Sequence, residues 1–339
     1  MKVINVRNVS EALTSGIRLM GTKGIQLSSR NGDTLEIPEP VCTTYQRPWE
    51  RVIACSVRDA NPFFHLMESL WIIKGRQDVK FLNEFNKRMV DYSDDGIVFN
   101  APYGHRIRNH GVADQLEQVI DTLALDPTSR QAVCQIWDQN DLMKDTKDKA
   151  CNMSIVFRIR NGKLCITVYN RSNDMIWGAY GANAVQFSMI QEYVAARLAI
   201  PMGTYDQVSN SFHVYLDGPG GALWDKLKEH NSHVANPTSI YDDPNRGQDL
   251  LLMDQTQMRE FDRDLIVLFS MYDKYGLSEV GEMKCWESDY FNKLVIPMIS
   301  VFLVHKRHGA EIALKYADRI EAHDWKTAVA IWLSMRVKG

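Results

Sequence analysis

The chain has 339 residues, 45% of them hydrophobic and 24% charged, with a formal net charge of -3. That length buries a substantial core, and the near-neutral balance excludes broad electrostatic attraction to nucleic acid or anionic lipid. No apolar run approaches the roughly 20 residues of a membrane span, and MKVINVRNVS lacks the basic-then-apolar order of a signal peptide, so a cytoplasmic, non-membrane protein is expected.

Residues 1–60 read as short strands around the turn cluster Ser28-Ser29-Arg30-Asn31-Gly32-Asp33. Phe64 to Lys74 reads as a helix, and it carries Glu68 among apolar neighbours, where a carboxylate needs polar partners or protonation. Met153, Ile155, Phe157 and Ile159 alternate, Asn161-Gly162 supplies a tight turn, and Leu164, Ile166 and Val168 resume the alternation. This predicts a hairpin with Cys151 just before its first strand. A glycine-bearing loop, Gly178 to Gly181, then leads to a helix opened by Asn183, on which Ile190, Tyr193, Val194 and Leu198 keep helical spacing, and Pro201 closes it. His213 and Tyr215 fall on one face of a strand over Phe212 to Leu216. From about Asp249 the pattern turns helical, with Trp325, Val329 and Trp332 on one face, so the expected division is a catalytic domain over 1–248 and a helical extension over 249–339.

The six cysteines show no CxxC pair and no zinc-like spacing, which predicts reduced thiols and no metal site. Cys151 alone has chemistry-bearing neighbours in sequence: a thiol whose pKa is lowered by arginines is a strong nucleophile. Arg130 and Arg171 suit bidentate contact to phosphate, with Ser172 adding a hydroxyl. Asn183 presents an acceptor and two donors that match a pyrimidine edge, and His213 with Tyr215 suits sugar hydroxyls. Each has a plain alternative: an inert core thiol, solvated arginines, a helix N-cap at Asn183, strand residues satisfying local backbone, and a surface glutamate at Glu68.

In order along the chain, Glu68-Ser69-Leu70-Trp71 with Gly75, Ala101-Pro102-Tyr103-Gly104 with Arg108, Asp126-Pro127-Thr128-Ser129-Arg130, Cys151, Asn170-Arg171-Ser172-Asn173-Asp174 and His213-Val214-Tyr215 resemble the thymidylate synthase superfamily, which includes pyrimidine nucleotide hydroxymethylases. The resemblance implies an α/β (α+β) fold: a twisted, largely antiparallel sheet with flanking helices. It implies that Cys151 adds to C6 of a pyrimidine nucleoside monophosphate, so that C5 takes a one-carbon unit from 5,10-methylenetetrahydrofolate, with Glu68 and Tyr103 organising proton transfers. Arg30, Arg171 and Ser172 would hold the phosphate, with Arg130 from the other subunit of a homodimer. His213 and Tyr215 would bind the sugar, Asp174 the folate ring, and Asn183 would face the base.

Departures from the superfamily pattern set the expected outcome. Gly181-Ala182-Asn183 stands where Phe-Asn is usual, Ala150-Cys151-Asn152 replaces Pro-Cys-His, and Gln131 replaces a second arginine. Phe85 to Phe99 lacks the tryptophans that synthases set against folate, and Met335 to Gly339 lacks their apolar lid ending. Those elements exclude water before hydride transfer, so water addition and a hydroxymethyl product are expected. Trp177 to Val185 looks like the cytidylate hydroxymethylases, and Ser172 matches enzymes acting on deoxynucleotides, which favours dCMP. The alternatives are dUMP hydroxymethylation, methylation as in thymidylate synthase, or a noncatalytic nucleotide- or RNA-binding relative.

Overall fold

The structure, a computed structural model, describes residues 1–233, 240–241 and 250–337. They form two compact units, Met1–Arg51 with Trp71–Pro237 and Val52–Leu70 with Thr238–Gly339.

The first unit runs β1 (Lys2–Val6), α1 (Val9–Lys23), β2 (Ile25–Ser29), β3 (Gly32–Ile37) and β4 (Val41–Tyr45). The unit boundary then falls inside α2 (Pro62–Lys74). There follow α3 (Val79–Phe85), α4 (Tyr103–Arg108), α5 (Gln115–Leu125), β5 (Val133–Gln135), β6 (Asn152–Arg160), β7 (Lys163–Asp174), α6 (Asn183–Arg197), β8 (Met202–Tyr215) and α7 (Gly218–His233). The eight strands make one sheet in the order β1-β4-β8-β7-β6-β5, with β3 pairing β2 and β8. Only β1–β4 and β7–β8 are parallel, so the sheet is largely antiparallel, as expected.

The hairpin of β6 and β7 forms at the expected turn, Asn161 and Gly162 both at positive φ (51° and 71°). Its inward residues Ile155, Phe157, Leu164, Ile166 and Val168 are buried, as are Ala184 to Ala196 of α6. Each such aliphatic or aromatic side chain contributes about 1.5–3 kcal/mol on leaving water. A buried polar contact fixes where α6 lies: Gln191 Nε2 donates to the Leu164 carbonyl of β7 (2.8 Å).

The irregular stretch between β5 and β6 is tied down by charge. Arg106 on α4 donates to Asp141 through both terminal nitrogens (2.5 and 2.7 Å), and further to the Ile136 and Asn100 carbonyls. Asp148 accepts from the Ala101 N–H (2.7 Å). These bonds hold the approach to Cys151, whose regular structure is one short 3-10 turn, Gln139–Leu142.

The second unit is helical: α8 (Met258–Tyr275), α9 (Leu277–Glu282), α10 (Ile296–His308), α11 (Ala310–Leu314) and α12 (His323–Val337). Trp325, Val329 and Trp332 are buried as one face of α12, and Phe63 sets its ring against Phe302 (5.2 Å) and Trp332 (5.6 Å). Those aromatic contacts group residues 52–70 with these helices, whereas the sequence pattern placed them within 1–248. The boundary at residues 248/249 lies outside the described residues. Among the described residues no helix is long and apolar enough to cross a membrane.

Candidate active site

A pocket of about 210 Å³ in the first unit is lined by Cys151, Arg171, Ser172, Arg30, Ser211, His213 and Tyr215, with Ser29, Asn31, Thr34 and Glu36. Six residues of the sequence reading therefore meet in one place. Cys151 precedes β6, and its carbonyl accepts from the Arg171 N–H (2.9 Å), so the sheet ladder itself sets thiol beside arginine. Arg171 Nε donates to the Ala150 carbonyl (2.8 Å), and Nη2 reaches the Lys149 carbonyl (3.1 Å) and Cys151 Sγ (3.9 Å). The guanidinium thus fixes the loop bearing the nucleophile as well as facing it.

Burial pushes the Cys151 thiol above its ordinary value; Arg171 and Arg30 pull it down and Asp148 pushes it up, with a net rise. This corrects the expectation of a lowered pKa. Desolvation outweighs two guanidinium groups, so the thiol rests protonated in the free protein.

Arg30 sits in the turn between β2 and β3. Ser29 Oγ donates to the Gly32 carbonyl (2.7 Å), and the Asp33 N–H donates to Asp217 Oδ2 (2.7 Å), which ties this hairpin to the end of β8. Ser211 Oγ lies 3.2 Å from His213 Nδ1, and the His213 and Tyr215 rings meet edge to face at 5.3 Å. The two-residue spacing does put both on one face.

Asn183 is not an N-cap. It is the first residue of α6, buried, and its Nδ2 donates to Asn173 Oδ1 (3.1 Å) and Asn152 Oδ1 (3.4 Å). Asn173 Nδ2 in turn donates to Ser209 Oγ (3.1 Å). The expected glycine loop is instead a wide-turned helical segment, Met175–Ala182, with non-helical backbone at Tyr180 and Gly181. Asn183 directly follows that segment, with its side chain in the amide cluster. A Cβ at Gly178 would stand 2.5 Å from Asn173 Oδ1, so a larger residue there displaces the acceptor of the Asn183 bond.

The other candidates lie elsewhere. Asp174 caps the wide-turned segment, accepting from the Ile176 (2.8 Å) and Trp177 (2.5 Å) N–H groups. Tyr103 opens α4 with its ring stacked on Phe187, and Glu68 is buried on α2 in the helical unit. Arg130 is exposed and does not line this pocket.

The thymidylate synthase family model matches residues 42–267. The chain belongs to the thymidylate synthase family. It is 39% identical to a deoxyuridylate hydroxymethyltransferase of Pseudomonas phage M6 over 99% of this chain and 95% of that one. A deoxyuridylate hydroxymethyltransferase of Bacillus phage SP01 is 43% identical over 61% of this chain and 57% of its own. A putative thymidylate synthase of Methanosarcina barkeri is 29% identical over 63% and 89%. As a family member the chain is a one-carbon transferase enzyme, so the noncatalytic reading falls.

Sequence reasoning missed Thr34, Glu36 and Ser211 as pocket residues and Asn173 as a buried partner of Asn183. The signal for Ser211 was present, since it stands two residues before His213 on the same strand face. Thr34 and Glu36 enter only through the pairing of β3 with β8, which no local pattern reveals.

Proposed function

We propose that this enzyme transfers a hydroxymethyl group to C5 of dUMP. The carrying observation is the Cys151–Arg171 pair in a pocket that also holds Arg30, Ser172, His213 and Tyr215: a nucleophile, phosphate ligands and sugar ligands together. The base preference moves from dCMP to dUMP on two supports. The phage relatives carry deoxyuridylate in their names, one of them over nearly the whole chain. The amide cluster of Asn152, Asn173 and Asn183 is also neutral, whereas attack on cytosine is helped by a carboxylic acid that protonates N3. Uracil offers a donor at N3 and an acceptor at O4, which amides match. Among the described residues the buried Asn152 Nδ2 has no partner, a donor in waiting for such an acceptor.

In this reading Arg171 stabilises the Cys151 thiolate as Sγ bonds to C6, and the displaced ring electrons make C5 nucleophilic. Arg30 and Ser172 hold the phosphate. Glu68 and Tyr103 take, on the family pattern, the transfer of the C5 proton and of the proton released by the adding water. Methylenetetrahydrofolate supplies the one-carbon unit when bound. The Asp174 carboxylate, oriented by two N–H groups, and the exposed Trp177 indole fit a flat ring bearing N–H donors. The pair would hold it there.

Turnover of dUMP with higher kcat/KM than dCMP is the expected result, and turnover of neither contradicts the proposal. Asn183→Asp is expected to shift the ratio toward dCMP by about 100-fold, because a carboxylic acid supplies the N3 proton and loses the uracil match. A ratio unmoved by that change removes Asn183 from base reading.

Arg130 is proposed to complete the phosphate site of a second subunit. Mixing inactive Cys151→Ala and Arg130→Ala proteins is then expected to restore about a quarter of wild-type activity through mixed dimers, each with one intact site. No recovery after subunit exchange counts against the shared site.

A further inference from the structure

Among the described residues Glu36 is the one carboxylate lining the Cys151 pocket. In the register of β3 with β8 it stands directly opposite His213, as Thr34 stands opposite Tyr215. Opposed residues of an antiparallel pair leave the same face with Cβ atoms about 4.5–5.5 Å apart. Glu36 therefore emerges beside His213, whose ring is fixed by Ser211 and Tyr215. No hydrogen bond or ion pair among the described residues engages the Glu36 carboxylate, and the side chain is half-buried.

The backbone positions that carry the pocket's cations lie away from that of Glu36. Arg30 is in the turn before Gly32, so Glu36 is four residues along β3 from that tip, about 14 Å of strand. Arg171 is on β7, which β8 separates from β3. A phosphate, all acceptor and anionic, is drawn to the arginines and repelled by the carboxylate. A carboxylate accepts and never donates, and on a pyrimidine nucleotide the donors away from the base are sugar hydroxyls.

We infer that Glu36 is a sugar-reading residue: its carboxylate accepts the hydrogen bond of the 3'-hydroxyl beside His213 and Tyr215, and so selects nucleotides in which that hydroxyl is free. The inference rests on the nucleotide reading above. His213 and Tyr215 can each donate or accept, so they leave the direction of the hydroxyl bond open. Glu36 settles it, with the hydroxyl donating to the carboxylate and accepting from its neighbours. The same charge disfavours a phosphate at the 3' position, which separates a free monophosphate from a nucleotide within a polymer.

The test is calorimetric binding, without folate, of dUMP and its 3'-deoxy analogue to full-length wild type, Glu36→Ala and Glu36→Gln. A hydrogen bond to a charged acceptor predicts that the wild-type preference for dUMP over the analogue falls about tenfold or more in Glu36→Ala, with affinity for the analogue unchanged. Glu36→Gln, which keeps a neutral acceptor, falls between, and it carries the test if the alanine protein does not fold. A preference unchanged in both variants, or both ligands weakened alike, overturns the inference. Wild type that binds neither dUMP nor dCMP is a different failure, which overturns the nucleotide reading itself.

Discussion

Cys151→Ala is expected to lower turnover by at least about 10⁴-fold while dUMP affinity changes by less than about tenfold, because the thiol makes the bond that activates C5 and contributes little to ground-state binding. The phosphate and sugar ligands survive the change, since Arg171 keeps its bonds to the Lys149 and Ala150 carbonyls whatever side chain stands at 151. Release of tritium from the 5 position of labelled dUMP reports the step directly, and release that persists in Cys151→Ala would falsify the covalent route. The pH dependence follows from the raised thiol pKa. The thiolate fraction is small at neutral pH and grows as pH rises toward the shifted value, so wild-type activity climbs into the alkaline range. Arg171→Gln removes the largest downward influence on that thiol and moves the climb to higher pH.

The second large effect is on stability. Asp141 and Arg106 are 1% and 3% exposed, and Asp141→Asn is expected to destabilise the protein by about 3–5 kcal/mol, the cost of leaving a buried guanidinium without its counter-charge. Burial pushes the Asp141 carboxyl up, but the hydrogen bonds from Arg106 and from the Asp138 N–H outweigh it, and it sits below the usual carboxylate value. A carboxyl lowered by folding stabilises above its unfolded pKa, and that stability is lost as pH falls through the folded one. Wild type therefore loses stability at acid pH, and Asp141→Asn flattens that limb. Urea unfolding at several pH values measures both, and a change under about 1 kcal/mol at neutral pH would remove the pair from the account. The consequence reaches catalysis, because the same bonds hold the stretch that delivers Cys151.

Local pattern made the hairpin legible: alternation and Asn161-Gly162 set the register from Arg160–Lys163 to Ser154–Tyr169, but the bulge between Asn152 and Ser154, which leaves Met153 exposed and shifts Asn152 to pair with Asn170, is not readable from that alternation. His213 and Tyr215 were readable for the same reason, being period-2 neighbours on a strand. The Met175–Ala182 segment was not, because Gly178 and Gly181 signal a loop, whereas the apolar residues Met175, Ile176, Ala179 and Tyr180 are buried and the wide-turned helix is what buries them. Asn183 consequently looked like a cap, though its side chain bonds sideways to Asn173. Glu36 and Thr34 depend on non-local pairing of β3 with β8, and the thiol pKa depends on burial, which neighbours in sequence do not report.

Product identification with dUMP, methylenetetrahydrofolate and the wild-type enzyme distinguishes water addition from hydride transfer. 5-Hydroxymethyl-dUMP is expected by mass, with folate left as tetrahydrofolate. A methyl product accompanied by dihydrofolate would contradict it and make the chain a methylating synthase.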